Sequence, residues 1–347
     1  MQNFIFYTLT VIIWGSTWIG IKLQLGTVEP MVSVAYRFTL AATILLFWCF
    51  IRRLKMSFTF KEHLFIALQG TLLFALNYWL FYLTELHITS GLAAIIFSTI
   101  ILMNMVNGAL FLKSPFNPKV LIGGIIGLCG ISLVFKPELA GLHIADMLNS
   151  INSVEIIRMF DSGGSEFANK YSQVVGIFIC ILATLLASFG NIVSARNQRH
   201  GLPIIQTNAY GMAYGAILML LISLFAGKNF DFVASANYIG ALIYLAIFGS
   251  IVAFGCYLSL IGRIGADRAA YSTLLTPIVA LIISTIWEDY HWSGEAVVGI
   301  VLIFAGNLLM INKTALNKIL SLKWTDINSL MRNILVRIKN RYRVPVC

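Results

Sequence analysis

The sequence predicts an all-α integral membrane protein. It should hold ten transmembrane helices as two inverted five-helix repeats, with the N- and C-termini cytoplasmic. Three observations lead there. First, the 347 residues are 59% hydrophobic and 11% charged, whereas an ordinary soluble domain carries about 25% charged residues. A chain this apolar needs lipid as its solvent. Second, the run PKVLIGGIIGLCGISLV (118–134) is echoed by GEAVVGIVLIFAGNLLM (294–310). Gly123 and Gly130 in the first match Gly299 and Gly306 in the second, an offset of 176 residues, about half the chain. Third, the basic residues gather on one side of the predicted spans, as orientation in a membrane requires.

Taken in order, the expected spans are 4–23, 31–51, 63–84, 89–111, 118–135, 173–194, 203–226, 237–260, 267–287 and 293–312. The first, within MQNFIFYTLTVIIWGSTWIG, lacks a basic leading region and a cleavage site, so it reads as a retained helix rather than a signal peptide. Pro30, Pro118 and Pro203 stand at or near helix starts, where a missing N–H costs nothing. With the N-terminus inside, the inner segments hold or border Arg52, Arg53, Lys55, Lys61, Lys113, Lys119, Arg196, Arg199, Arg263 and Arg268. Eight more basic residues lie after position 312, and only Lys22, Arg37, Lys136, Arg158, Lys170 and Lys228 fall outward. Five spans per half then invert the second copy relative to the first. Such a pair encloses a site near the midplane and alternates access to it, the architecture of a transporter.

The units are therefore 1–136, a connecting loop 137–172 on the outer side, 173–312, and a basic tail 313–347. In the loop, Ile144, Met147, Leu148 and Ile151 have helical spacing ahead of DSGGSEF, as a surface segment or a lid would. In the tail, apolar residues from Leu316 to Ile338 share a face among lysines and arginines, which suits an interfacial helix on anionic lipid. The net charge of +10 is explained by this orientation, without nucleic acid as a partner. Cys49, Cys129, Cys180 and Cys256 lie inside apolar runs and read as packing residues. No zinc spacing, HExxH, GxSxG, mid-span aspartate pair or phosphate-cradling GxxxxGK[ST] occurs. Neither an intramembrane enzyme, a metal centre, a bound cofactor nor direct ATP use is therefore expected.

In its first half the chain carries WGSTWIGIK (14–22), EPMVSVAYRFTLAA (29–42) and SGLAAIIFS (90–98); in its second, SFGNIVSAR (188–196) and GADRAAYSTLLTPIVALIISTIWE (265–288). In this order and duplication the chain resembles the EamA-like branch of the drug/metabolite transporter superfamily, over about 10–135 and 175–312. The resemblance implies ten helices in two inverted repeats. It also implies movement of amino acids, other metabolites or toxic organic compounds, mostly outward across bacterial inner membranes. The family's ninth-span proline is matched by Pro277; the equivalent fourth-span position is Ile101. Lys113 stands where a glutamate often ends the fourth span, while Glu288 and Asp289 close the ninth, and the joint between halves is longer than usual.

The candidate substrate-binding residues are Trp14, Ser16, Arg37, Asn77, Trp79, Tyr82, Asn104, Asn191, Tyr257, Tyr271 and Thr276. Trp18, Asn107, Ser188 and Thr273 belong to the same polar and aromatic mid-span set. Such residues build an apolar cavity with a few hydrogen-bond groups, or hold helices together by interhelical bonds. Arg37 lies about 10 Å into its helix. It either meets a substrate carboxylate, snorkels outward, or pairs with Glu29 or Glu85. Pro277 frees the carbonyl of Thr273 and is the candidate hinge. Gly123, Gly127 and Gly130, and Gly211 with Gly215, have the spacing of close helix packing, within the chain or in a homodimer. Glu85, His87 and His291 are candidate proton sites. The expected activity is secondary transport of a small molecule. A passive channel or lipid flippase is the alternative on the same fold.

Overall fold

The computed structural model describes residues 2–25, 28–88, 90–136, 172–287 and 293–310. The connecting segment 137–171, the tail from 311, Glu288, Asp289 and His291, and the side chains of Trp18 and Lys22 lie outside the described residues. Among the described residues every regular element is a helix.

Helix α1 is Gln2–Lys22 and α2 is Pro30–Ile51. Helix α3 runs Phe60–His87, with a π-helical turn over Thr71–Leu76. Helix α4 comes in two pieces, Ser90–Ser98 and Ile100–Leu112. Next are α5 (Pro118–Val134), α6 (Ser172–Arg199) and α7 (Ile204–Phe225). Helix α8 runs Ala236–Ile264, with a second π-helical turn over Leu245–Val252. Helix α9, Ser272–Trp287, is entered through the single turn Ala266–Ala269, and α10 is Gly294–Met310. A helix thus lies over each expected span. Among the described residues, six (in α2, α3, α4, α6, α7 and α8) are long and apolar enough to cross a membrane, and α5 and α10 are shorter apolar helices. Phe47, Leu110, Ile217, Leu224 and Val301 project outward and are exposed, an apolar surface that suits lipid.

Local chemistry explains the boundaries. Pro30 and Pro118 occupy first-turn positions of α2 and α5. Helix α3 begins at a capping box: Thr59 Oγ1 accepts from the Glu62 N–H, and the Glu62 carboxylate accepts from the Thr59 N–H. Replacing Thr59 with Ala should cost about 1 kcal/mol, read as a lower thermal midpoint of the detergent-solubilised protein. Helix α4 has no proline at Ile101, yet it still breaks, at Thr99. There the Thr99 hydroxyl bonds the Ile96 carbonyl at 2.6 Å, competing with the helical ladder.

Packing is pairwise. Helix α5 lies antiparallel on α10: Gly123 approaches Gly306, Gly130 approaches Gly299, and Lys136 pairs with Glu295 at 3.0 Å. Helix α2 lies antiparallel on α7, closed by Glu29–Lys228 at 2.9 Å. Helix α1 packs on α8 and α9, while α6 packs on α3 and α4. Gly211 and Gly215 meet Gly70 of α3. The glycine faces are therefore occupied within the chain, and a homodimer would have to use other surfaces. One apolar cluster joins α2, α3, α7 and α8 around Phe38, Phe74, Met212 and Phe254. The other joins α4, α5, α6 and α9 around Ile101, Ile131, Cys180 and Leu274.

One end of the bundle is basic, carrying Arg52, Arg53, Lys55, Lys61, Lys113, Lys119, Arg199 and Arg263. The start of α1 sits there, with Arg263 Nη1 donating to Gln2 Oε1 at 2.9 Å. The end of α10 sits there too, since Tyr7 donates to Asn307. At the opposite end Lys136 and Lys228 are neutralised by the two ion pairs above.

Candidate functional site

A cavity of about 80 Å³ lies at the seam of the two apolar clusters. Its wall is Trp14, Thr17 and Ile21 of α1; Leu73, Asn77, Tyr78 and Phe81 of α3; and Phe97 and Ile100 of α4. Ala187 and Asn191 of α6, Phe254 and Tyr257 of α8 and Thr276 of α9 complete it. A polar, roomy void needs about 10–15 Å³ to hold one water, so this one admits several waters or part of a small solute. The wall is mostly apolar and aromatic with a few hydrogen-bond groups, the usual make-up of a small-molecule site.

The two π-helical turns position much of it. A widened turn leaves carbonyls outside the regular ladder and is often found at functional sites. In α8 the Ser250 hydroxyl returns to the Leu245 carbonyl at 3.0 Å and accepts from Arg37 Nε at 2.9 Å. The neighbouring Gly249 carbonyl accepts from the Trp14 indole at 3.2 Å. Trp14 then packs on Tyr257 and Phe254, with centroids at 4.7 and 5.1 Å. In α3 the wall residues Asn77, Tyr78 and Phe81 follow directly after the widened turn. Asn77 Nδ2 donates to the Ala183 carbonyl at 2.8 Å, tying α3 to α6.

Trp14, Asn77, Asn191, Tyr257 and Thr276 among the expected residues meet in this wall. Arg37 and Tyr82 lie behind it. Arg37 is 1% exposed, with its guanidinium carbon 4.5 Å from the ring centroid of the wall residue Tyr78. Its Nη1 has no hydrogen-bond partner among the described residues. Glu29 pairs with Lys228, and no carboxylate among the described residues forms an ion pair with Arg37. Tyr82 donates to Gln24 Oε1 at 2.7 Å. Asn104 lines a second cavity toward the basic end. Ser16, Trp79 and Tyr271 lie off the wall: Ser16 bonds Tyr244 at 2.6 Å, Trp79 packs against both apolar clusters, and Tyr271 donates to the Val120 carbonyl of α5. Asn107 and Ser188 bond each other across α4 and α6 at 2.8 Å. The Thr273 carbonyl freed by Pro277 accepts from Thr276 Oγ1 at 2.8 Å.

Sequence reasoning missed Thr17, Tyr78 and Phe254. The helical period held a signal for all three: Thr17 is three residues from Trp14, Tyr78 four from Tyr82, and Phe254 three from Tyr257, so each shares a face with a residue already singled out.

The description of the EamA-like transporter family matches residues 3–136 and 174–312. An Escherichia coli K12 protein named an uncharacterized inner membrane transporter, YedA, is 26% identical over 277 residues, 79% of each chain. A probable amino-acid metabolite efflux pump of Salmonella typhimurium is 24% identical over 305 residues, 86% of this chain and 91% of that one. A solved crystal structure, 14% identical, matches with a TM-score of 0.67 over 88% of this chain and 95% of its own; it shares the fold.

Proposed function

The chain belongs to the EamA-like transporter family, and from that premise we propose that it is a secondary transporter working by alternating access. It is a multi-pass protein of the inner membrane. Its cargo is a small metabolite, an amino acid or related compound, or an amphipathic toxic compound, and the direction is export. The observation that carries the proposal is the aromatic-walled cavity at the seam of two helix clusters. Exchange of that seam between its two sides is what transport requires. The name of the Salmonella relative supports the amino acid and the direction.

Ten spans in two inverted repeats, 1–136 and 173–312, with both termini cytoplasmic, are the architecture we assign. The antiparallel α2–α7 and α5–α10 pairs support it, because each joins helices occupying the same place in the two halves. The packing of α1 on α8 and α9 is repeated by α6 on α3 and α4. The π-helical turns, starting at Thr71 and Leu245, stand at nearly equivalent positions. The basic end is then the cytoplasmic one. Arg37 is assigned to the substrate's carboxylate, reached when Tyr78 swings aside, and Pro277 to the hinge.

The test is amino-acid counterflow into proteoliposomes containing the purified chain. Uptake of labelled amino acid driven by the same unlabelled compound inside is expected. Equilibration without that stimulation would favour a channel or a flippase instead. Trp14→Ala should cut counterflow at least tenfold, and Trp14→Phe less, since the tilted ring contact with Tyr257 survives while the bond to Gly249 is lost. Equal rates in all three proteins would remove the cavity from the substrate path.

A further inference from the structure

A second cavity, about 360 Å³, opens toward the basic end between α4, α6, α8 and the turn before α9. Its lining is more polar than the first, with Asn104, Ser114, Gln198, Arg199 and Asp267 among its residues. The two cavities meet at one row of side chains. Asn191 and Tyr257 belong to the wall of the central cavity, and Asn104 belongs to the second. Asn191 Nδ2 donates to the Tyr257 hydroxyl at 3.1 Å and to Asn104 Oδ1 at 3.4 Å, while Asn104 Nδ2 donates to the Ala266 carbonyl at 3.0 Å. All three side chains are nearly fully buried. The remaining acceptor, Asn191 Oδ1, is buried and has no hydrogen-bond partner among the described residues. A buried acceptor left open is costly, and here it stands in the wall of a cavity.

Elsewhere the wall of the central cavity is built from different chemistry. Phe81 of α3 meets Phe97 of α4 edge to face, with centroids 5.1 Å apart. By the 176-residue offset, Phe81 is the counterpart of Tyr257. One hydroxyl therefore separates an apolar wall contact from a hydrogen-bonded one. An aromatic pair gives a solute nothing to exchange. Neutral hydrogen bonds can be traded for bonds to a solute at little net change.

We propose that the second cavity is the cytoplasmic entry site, and that Asn104, Asn191 and Tyr257 form a hydrogen-bonded bar that a substrate bearing N–H donors replaces on its way inward. Asn191 Oδ1 is the acceptor that such a donor, an ammonium or an amide, meets first. The bar thus selects for solutes that hydrogen-bond and delays purely apolar ones. This rests on the transporter reading above, and its test is independent of transport.

The test places a thiol in the central cavity wall, Ala187→Cys, and treats inside-out and right-side-out vesicles with a charged methanethiosulfonate reagent. Labelling at position 187 is read by peptide mass spectrometry, so the native cysteines stay in place. Tyr257→Phe and Asn104→Ala, each added to that chain, should speed labelling at least tenfold from the cytoplasmic face and leave the other face unchanged. Tyr257→Phe removes one oxygen only, and gel filtration of each variant checks that it folds. Thr17→Cys serves as the second reporter position. Unchanged labelling, or equal acceleration from both faces, overturns the bar. If amino-acid counterflow fails while labelling behaves as expected, the amino-acid cargo falls and the bar stands. If counterflow succeeds while labelling does not change, the reverse holds.

Discussion

Arg37→Met should leave the protein folded and reduce counterflow at least tenfold. The structure separates the two effects. Arg37 is buried with no ion-pair partner among the described residues, and its contacts are neutral: Ser250 at 2.9 Å and the ring of Tyr78 at 4.5 Å. Methionine keeps most of the length, so the void is small. Ser250 retains its bond to the Leu245 carbonyl and Tyr82 its bond to Gln24, while Tyr78 borders the cavity. A desolvated cation–π contact is worth about 2 kcal/mol, but removing a buried charge returns its desolvation cost. The thermal midpoint should therefore stay within a few degrees. Arg37→Ala is the poorer probe, since truncating a large buried side chain costs about 2–5 kcal/mol through the cavity left behind. Arg37→Lys should restore little, because an ammonium lacks the planar fork that grips a carboxylate. Full counterflow in Arg37→Met would make the guanidinium a packing element.

How far the sequence reaches follows from the same helices. Glycine spacing, helix-start prolines and the basic loops mark where helices begin, end and pack, and these the chain displays openly. Which side of a helix faces the cavity is harder to see. In a helix that is apolar all round, periodicity carries no phase. Trp79 of α3 is among the expected residues, yet it is its neighbour Tyr78 that joins Asn77 in the wall, and one position turns a side chain by about 100°. The widened turn at Thr71–Leu76, just before it, shifts that phase again and has no composition signal. Thr17 rather than Ser16 reaches the cavity for the same reason. Tyr271 shows a different limit. It stands between the turn Ala266–Ala269 and α9, so its direction is set by a break that the continuous apolar run conceals. Asn104, by contrast, bonds Asn191, which in turn bonds Tyr257, although its own side faces the second cavity.

The other large effect expected is at the α5–α10 contact, and its form tests the internal symmetry. A Cβ added at Gly123 would stand 2.7 Å from the Gly306 carbonyl oxygen, and one at Gly306 2.5 Å from that of Gly123. At Gly130 it would stand 2.6 Å from the Gly299 carbonyl oxygen, and Gly299 would meet Gly130 in the same way. At all four positions a backbone carbonyl oxygen is among the nearest obstacles, and it has no rotamer to yield, so the helices must part. Overpacking of this kind costs about 1–3 kcal/mol per site. A two-fold contact makes residue i meet j′ and residue j meet i′, so substitutions related by the 176-residue offset should hurt alike. Gly123→Ala and Gly299→Ala should lower the thermal midpoint by similar amounts, as should Gly130→Ala and Gly306→Ala. The double variant Gly130→Ala/Gly299→Ala should fall short of the sum, since one separation of the helices relieves both clashes. Strict additivity there, or one tolerant member in an offset pair, would mean that α5 and α10 meet by an asymmetric contact, and the inverted-repeat assignment would lose its strongest support.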